Sequence, residues 1–437
     1  MRGTRVSSLL SAAVLASAIS LCASSARADI TIYDNDGWSL YARGLIASHY
    51  QLAVGKGDPS SMHGVVVGGT TNEGGAKDPK DDSILLSRVR SGFIGTQMGF
   101  GVRRMISQTV HVDSLVAINL ADISSNRQQE ANKSVDVREA WASVIGPAGT
   151  FRFGRMFNIY ASGGAPIILL SHRYGVGNPC FVNQPTIACG PVGAGPQFAN
   201  FDAQLRYESP RFAALQLQAA VVDPDVTPDL QMTPYPRIDA ELNFDQSFGA
   251  AARLRAWVQM ATLTLNYRPS DFTMPLLVQQ ALGVFGSALL DAGPLSIGGG
   301  GWQCKGCGTR TFMEVGDSSN PLSADASKHL RTGRGFFGNA AVRLPAELTV
   351  AAGAGISYME ANQIDAPELY IDPMTMMPGQ PSTSLSILKS SAEGHVTLAK
   401  QFDAVVLEAE FMYWHNEWHY GEHNTLVYTG AGANYVW

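Results

Sequence analysis

Three histidines four residues apart, His415, His419 and His423, sit with Glu417 and Glu422 near the C-terminus. They are the residues of this chain that look most like metal ligands. Zinc takes three or four ligands converging on one point. On a single strand the histidines share a face with Glu417, but each four-residue step spans roughly 13 Å. One ion does not bridge that distance, and the segment reads as a loop or a strand extension. Asp34-Asn35-Asp36-Gly37 has the start of a calcium loop without its later ligands or terminal glutamate, and reads as a turn. Cys180, Cys189, Cys304 and Cys307 fall into two close pairs. In an exported chain, two local disulfides, Cys180–Cys189 and Cys304–Cys307, are the first expectation. A four-sulfur zinc site and a thioredoxin-like use of Cys304-Lys305-Gly306-Cys307 are the alternatives; no βαβ pattern surrounds the latter. The chain has no Gly-x-Ser-x-Gly, no His-Glu-x-x-His and no phosphate-binding loop. An enzyme would need a site dispersed along the sequence, and no cofactor is expected.

The elements that would position these residues begin with a leader. Arg2 and Arg5 precede an apolar run from Val6 to Ala23, and Ala26-Arg27-Ala28 fits a small-x-small cleavage site. Residues 1–28 therefore read as a secretory signal peptide. Its removal leaves 409 of the 437 residues, and the loss of three arginines takes the formal charge from −6 to −9. That balance offers no footprint for nucleic acid. Charged residues are only 16 % and mean hydropathy is +0.01, an unusual pairing for a soluble enzyme. The most apolar later stretch, Met274 to Leu290, is interrupted by Pro275, Gln279, Gln280, Gly283 and Gly286, so no spanning helix is expected.

Alternation of apolar and polar residues runs through most of the chain. Ile238, Ala240, Leu242 and Phe244 are separated by Asp239, Glu241 and Asn243. Phe201, Ala203, Leu205 and Tyr207 are separated by Asp202, Gln204 and Arg206. Val405 to Phe411 and Leu215 to Ala219 repeat the pattern. Val102 to Leu120 reads as one long run, with Val112, Val116 and Ile118 on one face and Arg103, Asp113 and Asn119 on the other. A strand with lipid on one side and water on the other must alternate in this way. Short connectors such as 400–403 and long ones such as 158–199 fit tight turns at one end of a barrel and long loops at the other. The expected fold is all-β, a transmembrane antiparallel barrel with residues 29–437 as one domain. A soluble β-sandwich is the alternative.

The chain ends Gly430-Ala431-Gly432-Ala433-Asn434-Tyr435-Val436-Trp437. Gly432, Tyr435 and the terminal Trp437 resemble the closing-strand signal read by outer-membrane assembly machinery, with Trp in place of the usual Phe. Trp38-Ser39-Leu40-Tyr41-Ala42-Arg43-Gly44, Ser91-Gly92-Phe93-Ile94-Gly95, Arg138-Glu139-Ala140-Trp141 with Gly149-Thr150-Phe151-Arg152-Phe153-Gly154-Arg155, and Leu205-Arg206-Tyr207-Glu208-Ser209-Pro210 follow in order. In these motifs the chain resembles the Gram-negative trimeric outer-membrane porins, the general diffusion porins. The resemblance implies 16 strands, a homotrimer in outer-membrane lipid and lipopolysaccharide, and a constriction loop at 158–199 folded into the barrel. It also implies passive passage of small hydrophilic solutes.

Family constriction loops usually carry acids. Between Arg155 and Asp202 this chain has none; Arg173 beside His172 is its only strong charge. The family's facing wall carries arginines. Strand parity offers Arg43, Arg88, Arg90, Arg103 and Arg152, because an arginine facing lipid near the midplane costs roughly 2–4 kcal/mol. Such a wall facing an acid-free loop favours anions, whereas acids elsewhere, including Glu241 and Glu408, oppose it. A substrate-selective channel for small anions and a plugged barrel serving as enzyme or adhesin are the functional alternatives.

Overall fold

In the computed structural model, residues 29–57, 76–77, 83–120, 135–172, 175, 179–181, 184–188, 190–224, 235–267, 277–309, 311–312, 324, 329–362, 388–419, 421 and 423–437 are described. The signal peptide expected at 1–28 lies outside them.

The alternating segments form strands, and the strands close on themselves. In chain order they are β1 (Trp38–Gly57), β2 (Ser83–Arg90 continued by Thr96–Met105), β3 (His111–Leu120), β4 (Val135–Gly146), β5 (Gly149–Phe157) and β6 (Phe201–Glu208). Then follow β7 (Leu215–Val222), β8 (Arg237–Phe248), β9 (Ala252–Tyr267), β10 (Leu277–Ala292) and β11 (Leu295–Lys305). The last are β12 (Thr332–Leu344), β13 (Leu348–Met359), β14 (Leu388–Phe402), β15 (Val405–Trp418) and β16 (His423–Val436). Each pairs antiparallel with the next, and β16 pairs with β1 from Leu45↔Val436 to Gly57↔Asn424. The result is a closed 16-stranded barrel. One extra strand, Ile30–Asn35, folds back on β1 through Asp36 and Gly37. Both turn residues have positive φ, 52° and 75°, as a tight hairpin requires.

Side-chain parity follows the sequence. Ile238 and Leu242 face outward at 40 % exposure each, while Asp239 and Glu241 face inward and are buried. Ile46, Tyr50, Val54, Val116, Phe151, Phe153, Leu205, Phe411 and Tyr413 belong to the same outward apolar surface. That surface suits hydrocarbon, and the pairing leaves the sheet no free edge within it. The run from Val102 to Leu120 is two strands rather than one. Ser107 breaks it: its hydroxyl accepts from the backbone N–H groups of Thr109 and Val110, and the chain reverses there. The side-chain bonds of a short polar turn win over continued extension.

Closure depends on two close approaches. Gly44 and Trp437 exchange backbone hydrogen bonds of 2.8 and 3.1 Å, and the Trp437 ring lies where a Gly44 side chain would be. Farther up the seam His49 packs over Gly432, and its ring meets Glu408 at 2.9 Å. A Cβ at position 432 would overlap both the His49 ring and the Ser48 carbonyl. Trp437 is a terminal side chain able to swing aside, but the Ser48 backbone is held in the sheet. Gly432→Ala is therefore expected to lower barrel stability by about 1–3 kcal/mol, and Gly44→Ala by less. Heat-modifiable migration of the two variants in detergent measures this; equal midpoints would refute it.

Candidate pore and constriction

The connection between β5 and β6 turns into the barrel because its ends are tied there. Asn158 donates to Asp202 at 2.5 Å, Asp202 pairs with Arg237 at 3.1 Å, and Arg237 pairs with Asp239 at 2.9 Å. Asp239 also accepts the backbone N–H of Tyr160 at 3.2 Å. Helix α1 (Ala165–His172) then crosses toward β10–β14. Its sequence Ala-Pro-Ile-Ile-Leu-Leu-Ser-His is apolar nearly all round, as a helix buried on every side requires. Asn339 donates to the Ile167 carbonyl at 2.9 Å. On the return, Trp302 donates to the Gly195 carbonyl at 2.6 Å, and Gly195 donates to Ser357 at 2.8 Å.

A hydroxyl–imidazole–carboxylate chain holds the end of α1. His395 Nδ1–H donates to Glu393 at 2.7 Å, and Nε2 lies 2.8 Å from the Ser171 hydroxyl. The order resembles a hydrolytic triad. However, Ser171 has 0 % exposure, packed between helix and wall, so no acyl group reaches it. The chain clamps the loop to β14.

With the loop held against β8–β14, a pocket that is a candidate for the opening lies on the other side. It is lined by Arg43, Gln97, Asn119, Arg138 and Glu139 from β1–β4, by Phe157 and Phe201 where the adjoining β5 and β6 meet the loop, and by Phe198 of the loop. Arg43 makes no ion pair among the described residues. Arg138 is held by Asp136 at 2.8 Å, and Glu139 accepts the Trp141 indole N–H at 3.2 Å.

The other arginines singled out by parity occupy different settings. Arg103 faces inward at the short-turn end, paired with Asp29 at 2.6 Å and Asp113 at 3.3 Å, over the Tyr41 ring. Arg152 is buried over Trp141, 3.6 Å from Glu208. Arg90 and Arg88 pair in register with His49 and Gln51; their side chains lie outside the described residues. His172 ends α1, and Cys180 lies in the short strand Pro179–Phe181; their side chains also lie outside, as do Arg173 and Cys189. Cys304 and Cys307 form a disulfide at the end of β11. Arg138, Glu139 and the three phenylalanines escaped the sequence reading. A register shift between Ala117 and Ile118 disturbs parity at the first two; the sheet pairs Phe157 with Phe201, and the loop adds Phe198. Glu393 and His395 carried a signal, a polar pair two residues apart on one strand face.

The histidine reading considered one strand, yet the hairpin sets His423 across from Glu417, with the His415 and His423 rings 6.2 Å apart. No group of three potential ligands converges among the described residues.

No protein-family profile and no characterised protein sequence matches the chain. Solved structures do. The outer membrane channel DcaP of Acinetobacter baumannii aligns with a TM-score of 0.63 and 12 % identity, over 93 % of this chain and 100 % of that one. An anion-selective porin from Comamonas acidovorans aligns at 0.56 and 9 %, over 92 % and 100 %. OmpF of Salmonella typhi, solved with daunomycin, aligns at 0.49 and 12 %, over 93 % and 100 %. The fold is that of the Gram-negative outer-membrane porins, and the apolar outer band suits such a barrel to the hydrocarbon of a membrane.

Removing the hydroxyl end or the central imidazole of this chain gives unequal losses. Ser171→Ala forfeits one buried hydrogen bond, about 1 kcal/mol. His395→Ala leaves Glu393 buried without its partner and is expected to cost about 3–5 kcal/mol, with noisier single-channel current from a loosened loop. Thermal unfolding by circular dichroism and bilayer recording test this; equal losses would overturn the clamp.

Proposed function

We propose that the protein is a passive, water-filled outer-membrane channel for small hydrophilic solutes, preferring anions and working as a homotrimer among outer-membrane lipid and lipopolysaccharide. Arg43 carries the reading. It is a lumen-facing guanidinium without an ion pair among the described residues, at the opening beside an acid-free loop. Selectivity in a pore comes from its width and its lining charge, and charge already neutralised by a neighbour contributes little to the field. That discounts Arg103, Arg152 and Arg237, which have carboxylate partners. Glu139, which lines the same pocket without an ion pair among the described residues, is the carboxylate that opposes Arg43 there. The fold accommodates such selectivity, as the Comamonas acidovorans porin illustrates.

Planar-bilayer recording under a potassium chloride gradient tests the proposal. Insertions in groups of three and a reversal potential on the chloride side are expected. A unit charge about 4 Å from a permeating ion in water is worth about 1 kcal/mol. Because the charge acts on the two ions with opposite sign, Arg43→Gln is expected to lower the chloride-to-potassium permeability ratio by up to roughly thirtyfold. Cation preference in the unaltered protein would overturn the anion reading. An inserted but electrically silent barrel would overturn the channel and favour a plugged lumen.

A further inference from the structure

Strand β2 carries three residues too many for its neighbour. It pairs with β1 from Lys56↔Ser83 to His49↔Arg90, and again from Leu45↔Gln97 to Trp38↔Arg104. Between these two ladders β1 uses three residues, 46–48, and β2 uses six, 91–96. The excess leaves the sheet as a bulge of Ser91, Gly92, Phe93, Ile94 and Gly95. Gly92 and Gly95 turn it, with φ of 79° and 77°, a conformation that glycine adopts without a steric penalty. Ile46 and Tyr50 face outward beside it, so the bulge lies within the apolar band. There it would strand backbone groups of β1. Thr96 prevents this: its hydroxyl accepts from the Ala47 N–H at 3.2 Å and donates to the Ala47 carbonyl at 3.3 Å.

The bulge enters the lumen. Ile94 packs against the inner-wall cluster of Leu45, Ala47, Ala399 and Val406. Phe93 packs against Val192 of the β5–β6 connection, and its ring lies 3.1 Å from where a Gly190 side chain would begin. The Phe93 N–H donates to the Gly175 carbonyl at 2.8 Å. That connection rests on the opposite wall, so at this level protein reaches into the lumen from both sides. Phe93 and Ile94 also line the pocket that holds Arg43. A solute using that pocket passes beside them.

We infer that this bulge is the second jaw of the constriction. The limit on solute width is set between Phe93 and the wall that carries Arg43, not by the β5–β6 loop alone. Gly175 pins the bulge on one flank and Ala47 pins Thr96 on the other, so the ring does not withdraw without breaking hydrogen bonds. Compact solutes clear it. Wider ones are turned back even where their charge suits Arg43. The inference rests on the channel proposed above and is independent of its ion preference.

Two variants test it. Deleting Gly92, Phe93 and Ile94 removes the three extra residues, and Ser91, Gly95 and Thr96 then fall opposite Ser48, Ala47 and Ile46 in an unbroken ladder. Phe93→Ala keeps the backbone bond to Gly175 and removes only the ring, and it decides alone if the deletion does not fold. Heat-modifiable migration reports folding. In planar bilayers each folded variant is expected to show a steady single-channel conductance raised by roughly 1.5-fold to threefold, because pore width governs passage. In liposome swelling with glucose, sucrose and raffinose, each should admit a larger sugar than the unaltered protein admits. The direction of ion preference should survive, since Arg43 remains. Unchanged conductance and sugar limit in folded Phe93→Ala would overturn the inference. So would a larger but flickering current, which marks a loosened loop rather than a removed obstacle. An unaltered barrel that is electrically silent would instead overturn the channel reading.

Discussion

Hydrocarbon offers no hydrogen bonds, so every backbone N–H and C=O inside the membrane must find a partner in the chain. This constraint organises the rest of the molecule. A strand array meets it only by closing, which is why the pairing of β1 with β16 matters as much as any side chain. Closure in turn divides the residues into an outward set chosen by lipid and an inward set chosen by water and by the loop. The apolar outward residues of β8, and the acids alternating with them, are two consequences of one requirement.

The lumen is where the ordinary rules of a protein interior return. Arg237, Asp202, Asp239 and Asn158 form a buried network that would be costly if any member lacked a partner. Their mutual satisfaction ties the loop root to β6 and β8. The far end of the loop is held by uncharged contacts and by the Glu393–His395–Ser171 chain. The same geometry that would serve catalysis in an open cleft serves as a fastener when it is sealed, so access rather than atom order decides its use. Because the loop is held against one half of the wall, the opening is left to the other half, and Arg43 faces it.

Legibility from sequence varied with range. Alternation exposed strand faces because the pleat repeats every two residues wherever a strand lies. Arg43, Arg103 and Arg152 all face inward as parity requires. What distinguishes them is which carboxylate lies across the lumen wall: Asp29 and Asp113 for Arg103, Glu208 for Arg152, and none described for Arg43. Those partners come from other strands, so no window of sequence contains them. Val102 to Leu120 failed for a local reason, since a polar turn of the right length preserves the alternation it interrupts. The neighbours of His423 escaped notice for a tertiary reason, since they belong to β15.

By itself, the sequence determined the barrel, its outward apolar face and its acid-free loop. It also determined the small residues at 44 and 432 that let the seam close. These are properties of periodicity and residue size, carried by neighbours along the chain. Only the tertiary structure decided which inward charges are neutralised, where the loop rests, and which residues gather around Arg43. Those features depend on the register of strands distant in sequence and on the path of one loop through the lumen. Charge pairing falls off over a few ångströms, a distance that sequence separation does not measure.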